Sequence, residues 1–163
     1  PGRRRVRALM QWSWGPLHAL SPAELYAMLA LRQAVFVVEQ DCAYLDADGK
    51  DLGAFHLLGR RAGELVACAR VLPPGLGGAE AAIGRVVVAP HARGTGLGRA
   101  LMVEALDRTR VELGPGPVFV SAQAHLQAFY ASLGFAVCGE GYLEDGIPHL
   151  PMRKSRNDDI GIR

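Results

Sequence analysis

The chain has 163 residues, half of them apolar and 21% charged, which is the composition of one globular domain and excludes a disordered chain. Eighteen Lys and Arg against sixteen Asp and Glu give a formal net charge of +2, so no overall polybasic field argues for nucleic acid or a membrane surface as a partner. Twenty glycines and ten prolines are too few and too aperiodic for a collagen-like or linker-like chain, so the glycines belong to particular turns.

Residues 1–9 carry Arg3, Arg4, Arg5 and Arg7 and read as a disordered basic arm. No apolar run of the length needed by a signal peptide or a membrane helix follows. Met10 to Trp14 predicts a short strand. Ser21-Pro22-Ala23-Glu24 predicts a helix start, with Ser21 as cap, proline at the first helical position and Glu24 completing a capping box. Leu25, Met28, Leu29 and Arg32 carry that helix to about Val35, and Phe36-Val37-Val38-Glu39-Gln40 breaks its period. Asp46 to Asp51 is a polar turn cluster. Ala54–Leu58 and Leu65–Leu72 predict two strands joined by a hairpin turn within Arg60–Glu64. Pro73 to Gly78 is a loop, and Ala82 to Ala89 is an apolar strand stopped by Pro90. After a glycine-rich turn, a helix presents Leu97, Leu101 and Ala105, and Gly114-Pro115 ends it. Val118–Ala122 predicts a strand. Leu126, Phe129, Tyr130 and Leu133 fall on one helical stripe closed by Gly134. Phe135–Cys138 and His149–Arg153 predict closing strands, and residues 155–163 a flexible tail. Strands and helices thus interleave around one mixed sheet, an α/β or α+β domain over residues 10–154. Cys42, Cys68 and Cys138 form no C-x-x-C pair, which fits reduced, mostly buried thiols in a cytoplasmic protein.

One stretch carries chemistry. Ile83 to Ala89 runs into Arg93-Gly94-Thr95-Gly96-Leu97-Gly98-Arg99 and then into a helix. A helix N-terminus leaves backbone N–H groups unpaired and partly positive. Glycines let a phosphate approach those donors, and arginines bracket them here. Neither the P-loop pattern nor the dinucleotide pattern fits. Gly98 is followed by Arg99-Ala100 instead of Lys-Ser/Thr, and the third glycine of G-x-G-x-x-G would fall on Arg99.

What does fit is R/Q-x-x-G-x-G/A. Arg93 to Gly98 resembles the acetyl-CoA loop of the GNAT superfamily of N-acetyltransferases. Downstream, Phe129-Tyr130-Ala131-Ser132-Leu133-Gly134-Phe135 resembles the F-Y-x-x-x-G-F segment of the same superfamily. A narrower resemblance, to the ElaA-like branch, rests on Leu25–Arg32, Val35–Gln40, Tyr44–Gly49, Ser121–Ala124 and Glu144–His149. It extends the likeness over residues 10–153. The resemblance implies a GNAT-like α/β (α+β) fold, a single mixed, mostly antiparallel sheet of six to seven strands flanked by helices. It implies acetyl transfer from acetyl-CoA to a primary amine, a small molecule or a peptide, by direct attack in a ternary complex. It also raises a homodimer, since dimers are common among such proteins. The alternative is a non-catalytic acyl-CoA-binding or sensing module.

Carried over residue by residue, the resemblance assigns Val86, Val87 and Val88 to the pantetheine arm. Arg93, Gly94, Thr95, Gly96, Leu97, Gly98 and Arg99 fall to the pyrophosphate. Tyr130 matches the tyrosine that can protonate the departing thiolate, a role in which charge developing on sulfur is met by a positioned hydroxyl. Gln123 stands where many such proteins carry an asparagine that contacts CoA. The strand before the loop, Ile83-Gly84-Arg85-Val86, offers no carboxylate as base. The base is therefore sought in Glu39, which interrupts an apolar run, in His149, in Glu144 or Asp145, or in water. The acidic residues Glu39, Asp46, Asp48, Asp51, Glu144 and Asp145 surround the expected acceptor site and suit a cationic amine. His56 sits in an apolar strand as a core histidine. With His149 and the aspartates it shows no ligand spacing, so no metal is expected.

Overall fold

The computed structural model describes residues 10–157. The basic arm expected over 1–9, and residues 158–163 of the expected tail, lie outside them. The strands are β1 (Met10–Pro16), β2 (Phe55–Arg61), β3 (Glu64–Leu72), β4 (Ala81–Val88), β5 (Val118–Gln123), β6 (Ala136–Val137), β7 (Tyr142–Glu144) and β8 (Ile147–Lys154). Seven lie on one path, β1-β2-β3-β4-β5-β8-β6, and β7 pairs with β8 off that path. All pairings are antiparallel except β4 with β5. The sheet is thus the mixed, mostly antiparallel one expected, with the 142–144 arm as an addition.

Helix α1 (Pro22–Arg32) begins as its sequence dictates. Ser21 Oγ accepts from Glu24 N at 3.1 Å, and Glu24 returns a carboxylate to Ser21 N at 2.8 Å. It does not stop near Val35. A π-helical segment (Gln33–Glu39) continues it, with Gln40 N–H donating to Val35 and Cys42 N–H to Val37, five residues back. The wider turn rotates the apolar positions out of the 3.6 period, which is why the run from Phe36 looks like a break.

Helix α2 (Leu97–Leu113) buries Leu97, Leu101, Met102, Ala105 and Leu106 against β3 and β4. A five-residue helix, α3 (Gln127–Ala131), brings Tyr130 into the same core. A second, smaller core of Met28, Val35, Leu58, Cys68 and Val87 lies under α1 and the π-segment. The expected tail is anchored at its start. Asn157 is buried, its Nδ2 donates to Leu106 O at 2.6 Å, and its backbone N–H faces the Pro115 and Gly116 carbonyls. Residues 155–157 thereby close the end of α2. Among the described residues, no helix is long and apolar enough to cross a membrane.

One feature of the sheet makes room for a ligand. The parallel strands β4 and β5 pair only at Ala81–Val118 and Ala82–Phe119, and beyond that register they part. On its other side β4 stays paired with β3, but Arg85 and Val86 together face the single residue Ala69. This is a β-bulge, and Arg85 takes φ +48° to make it.

Candidate active site

The gap between β4 and β5 is a cleft of about 840 Å³. One wall is β4, including Val86, Val87 and Val88. The other is β5 with Ser121 and Gln123, backed by His149 of β8. The π-segment and the loop after it (Phe36, Glu39, Gln40, Tyr44), Tyr130 and the β7–β8 hairpin complete its lining. The residues expected from the pantetheine strand, the tyrosine and the two base candidates Glu39 and His149 therefore line one cavity.

At the end of β4 the chain turns through Gly94 (φ +76°) and Gly96 (φ +81°) into α2. Positive φ is the reason for glycine at both positions. A Cβ on Gly94, Gly96 or Gly98 would meet no heavy atom within 4 Å, so all three face open space. The first backbone bond of α2 joins Ala100 N–H to Gly96 O, at 3.1 Å. The N–H groups of Leu97, Gly98 and Arg99 are left at the helix mouth. Leu97 contributes only that backbone, because its side chain is core. Thr95 Oγ1 donates to Ala92 O at 2.9 Å and holds the turn. This cradle, a helix of 17 residues opening on unobstructed glycines, fits a pyrophosphate.

The two flanking arginines are engaged within the protein. Arg99 donates to the Ser132 hydroxyl at 2.9 Å and reaches the Ser132 carbonyl at 3.4 Å, which ties the loop to the Phe129–Phe135 segment. Arg93 grips both oxygens of Glu39, at 2.7 and 3.2 Å, and its Nε donates to Val88 O. The Glu39 carboxylate is thus half of a bidentate pair that joins the π-segment to the end of β4. Next to it, Gln123 donates to Gln40 at 3.4 Å.

Tyr130 is 7% exposed and packs edge-on against Phe135 and Phe129. Burial pushes its hydroxyl up to about 12, so it holds its proton at neutral pH. It is a core residue and a cleft residue at once.

The acidic residues expected around the acceptor divide into two groups. Asp46, Asp48 and Asp51 are neutralised inside the protein. Arg32, 1% exposed, donates to Asp46 at 2.8 Å and to both oxygens of Asp51 at 2.8 and 3.1 Å. Arg70 donates to Asp48 at 2.8 and 3.0 Å and to Asp51 at 3.2 Å. Arg85, turned by the bulge, meets Asp46 at 2.7 Å and lies over the Tyr44 ring, 5.6 Å from its centroid. Burial alone would raise the Asp51 carboxyl, but the Arg32 hydrogen bond and charge outweigh it and hold the group low. For Asp48 burial is likewise outweighed, here chiefly by Arg70. This network fixes the loop that walls the cleft. It leaves those three carboxylates no charge to offer an amine.

The second group lies on the β7–β8 hairpin, where the expected His149–Arg153 strand begins earlier, at Ile147, and pairs with the added strand Tyr142–Glu144. Asp145 (φ +49°) and Gly146 (φ +77°) form a two-residue turn between Glu144 and Ile147. An Asp-Gly turn of this kind is a hairpin signal, and it could have found the pair. The turn sets Glu144 beside His149, with Glu144 Oε2 3.3 Å from His149 Nε2. Cys42 Sγ donates to Asp145 O at 3.4 Å and pins the hairpin to the opposite loop. His56 stays out of the site. It is buried, with Nε2 3.0 Å from Asp51 O, as a core histidine.

A family model described as an acetyltransferase (GNAT) domain matches residues 22–156 of the chain. The chain is 47% identical over 145 residues to protein ElaA of Escherichia coli, covering 86% of this chain and 95% of that one. The crystal structure of E. coli ElaA superposes with a TM-score of 0.84 at 44% identity, over 90% of this chain and 99% of that one. The crystal structure of an acyl-CoA N-acyltransferase from Pseudomonas aeruginosa gives a TM-score of 0.86 at 46% identity, with the same two coverages.

Proposed function

The chain belongs to the GNAT acetyltransferase family, and from that membership we propose that it transfers an acetyl group from acetyl-CoA to a primary amine by direct attack within a ternary complex. The observation that carries the reading is the divergence of β4 and β5 into one cleft lined by Val86, Val87, Val88, Arg93 and the buried Tyr130, with an unobstructed glycine cradle at a helix N-terminus directly after Arg93.

The cradle N–H groups of Leu97, Gly98 and Arg99 would take the pyrophosphate. Val86, Val87 and Val88 would run alongside the pantetheine arm. Arg93 orders the loop through Val88 and Glu39 and need not touch phosphate itself. Tyr130 supplies a proton to the sulfur as the C–S bond breaks, a role suited to a hydroxyl that stays protonated at neutral pH. The π-segment and the β7–β8 hairpin frame the amine. Three cysteines free of disulfides fit a cytoplasmic setting.

The test is release of free thiol from acetyl-CoA with a panel of n-butylamine, putrescine, spermidine, lysine and a lysine-containing peptide, beside calorimetric titration with coenzyme A. Binding with turnover is expected. Tyr130→Phe should lower turnover by about 10²–10⁴, the range of a lost general acid, with coenzyme A affinity kept. Binding without release by any amine supports a sensing module instead, and no binding at all overturns both readings.

A further inference from the structure

Resting on that acyltransferase reading, we infer that the β7–β8 hairpin carries the amine-side machinery: Glu144 receives the acceptor's ammonium and His149 takes its proton, while Ser121 and Tyr142 hold the Glu144 carboxylate in place. Four polar side chains from three strands meet on the cleft wall. Ser121 Oγ of β5 is 3.2 Å from Glu144 Oε2 and is hydrogen-bonded to the Tyr142 hydroxyl. The same Glu144 oxygen faces His149 Nε2 at 3.3 Å. The other ring nitrogen, Nδ1, lies 2.7 Å from Ile147 O. A carbonyl only accepts, so Nδ1 carries a hydrogen and Nε2 is the nitrogen left to gain or lose one. The Tyr142 ring lies over the imidazole, 6.1 Å away and 15° from parallel, and fixes its plane.

Exposure assigns the two roles. The Glu144 side chain is 53% exposed and reaches the open cleft, whereas that of His149 is 10% exposed behind it. An arriving ammonium therefore meets the carboxylate first, and with Oε2 and Nε2 only 3.3 Å apart one ammonium can donate to both. Among the described residues, Glu144 and its neighbour Asp145 are the carboxylates of this wall paired with no arginine, and of the two it is Glu144 that stands beside the imidazole. Asp46, Asp48 and Asp51 are consumed by Arg32, Arg70 and Arg85, and Glu39 by Arg93.

The protons balance as follows. One of the ammonium's three passes to His149 Nε2 and from there to water, which frees the nitrogen lone pair. The N–C bond then forms and the C–S electron pair leaves with sulfur. A second proton replaces that bond on the thiol by way of Tyr130, and the third remains on the amide.

The experiment compares an alkylamine, protonated at pH 7, with hydroxylamine, which is already neutral there and has no proton to surrender before attack. His149→Gln is expected to lower kcat/KM about 100-fold or more for whichever alkylamine of the panel the wild type uses, and less than about threefold for hydroxylamine. Glu144→Gln should raise KM for the alkylamine, again sparing hydroxylamine. Ser121→Ala should lower kcat for the alkylamine, and Ser121→Thr, which keeps the hydroxyl, should restore it. Coenzyme A affinity and Tm, measured on each variant, should stay near wild type. His149→Asn serves as a second variant should His149→Gln misfold. Equal losses for both nucleophiles, or no loss in a folded His149 variant, overturn the inference while leaving the acyltransferase reading standing. A wild type that acylates neither nucleophile overturns the reading beneath it.

Discussion

Gly96 is the position at which the ligand can be tested almost apart from the fold. It caps α2 at φ +81°, and a Cβ there would meet nothing within 4 Å. Gly96→Asp therefore disturbs no packing. The left-handed backbone costs a non-glycine residue about 1–2 kcal/mol, and a carboxylate at the helix N-terminus returns about 0.3–1 kcal/mol through the dipole, so stability should change by about 1 kcal/mol. Toward a bound pyrophosphate the same carboxylate is a like charge. Two unit charges 4 Å apart at an effective dielectric near 20 repel by about 4 kcal/mol, or about three powers of ten in Kd. Gly96→Asn has the same shape and backbone tolerance without the charge, so it should lose only the steric part. Calorimetric titration of coenzyme A at fixed ionic strength, with Tm recorded for each variant, separates these contributions. A loss below tenfold in folded Gly96→Asp refutes the placement of pyrophosphate at this loop. Equal losses for Asp and Asn refute the electrostatic account of it.

The remaining predictions concern the charged framework. Asp51→Ala takes from buried Arg32 its two-pronged partner, leaving it Asp46, and from Arg70 one of its contacts, leaving it Asp48. Breaking a buried pair costs about 3–5 kcal/mol, so Tm should fall by about 6–20 °C in thermal unfolding followed by circular dichroism. Glu39→Gln breaks a pair whose side chains are about 40% exposed, so stability should fall by about 1 kcal/mol at most; kcat should stay within a few-fold of wild type, whereas a 100-fold loss would make Glu39 the base. Stability should also fall in acid in two stages, read from urea midpoints between pH 8 and 3. Burial holds the His56 pKa below its ordinary 6.5, so the unfolded chain takes up a proton there before the folded one does, and stability drops as pH falls below that value. Asp48 and Asp51 sit below their ordinary 3.8, so the sign is the same and the second loss comes near and below pH 4. Urea midpoints that are flat from pH 7 to 5 would refute the first stage, and Asp51→Ala should flatten much of the second.

What the sequence makes legible here are the features whose causes are local. The Ser21–Glu24 capping box, the stop at Gly114-Pro115 and the glycines of the 93–99 loop each act within a few residues, and each stands in the structure where the residues put it. The π-segment was illegible because one added residue per turn erases the helical period on which a sequence reading relies. Its consequence is functional. The segment carries Glu39 and Gln40 onto the cleft, and there Glu39 becomes the partner of Arg93, 54 residues away. The aspartates of 46–51 misled for the same reason. Their local cluster suggests a site for a cation, but their partners Arg32, Arg70 and Arg85 lie 14 to 39 residues distant and are brought to them by α1, β3 and the β4 bulge.

That redistribution of charge sharpens the site. A cleft that appeared in sequence to be ringed by six carboxylates has four of them spoken for by arginines. The glycine loop in turn lends neither of its arginines to solvent alone, since Arg93 and Arg99 both brace the scaffold. On the proposed reading, anion binding at the glycine loop would fall to backbone N–H groups. Cation binding would fall to the acidic turn of the β7–β8 hairpin, with Glu144 beside His149 and Asp145 next to it. Backbone donors tolerate many side-chain changes around them, whereas a single carboxylate does not. Substitutions on the hairpin should therefore alter which amine is accepted far more readily than substitutions around the loop alter the thioester.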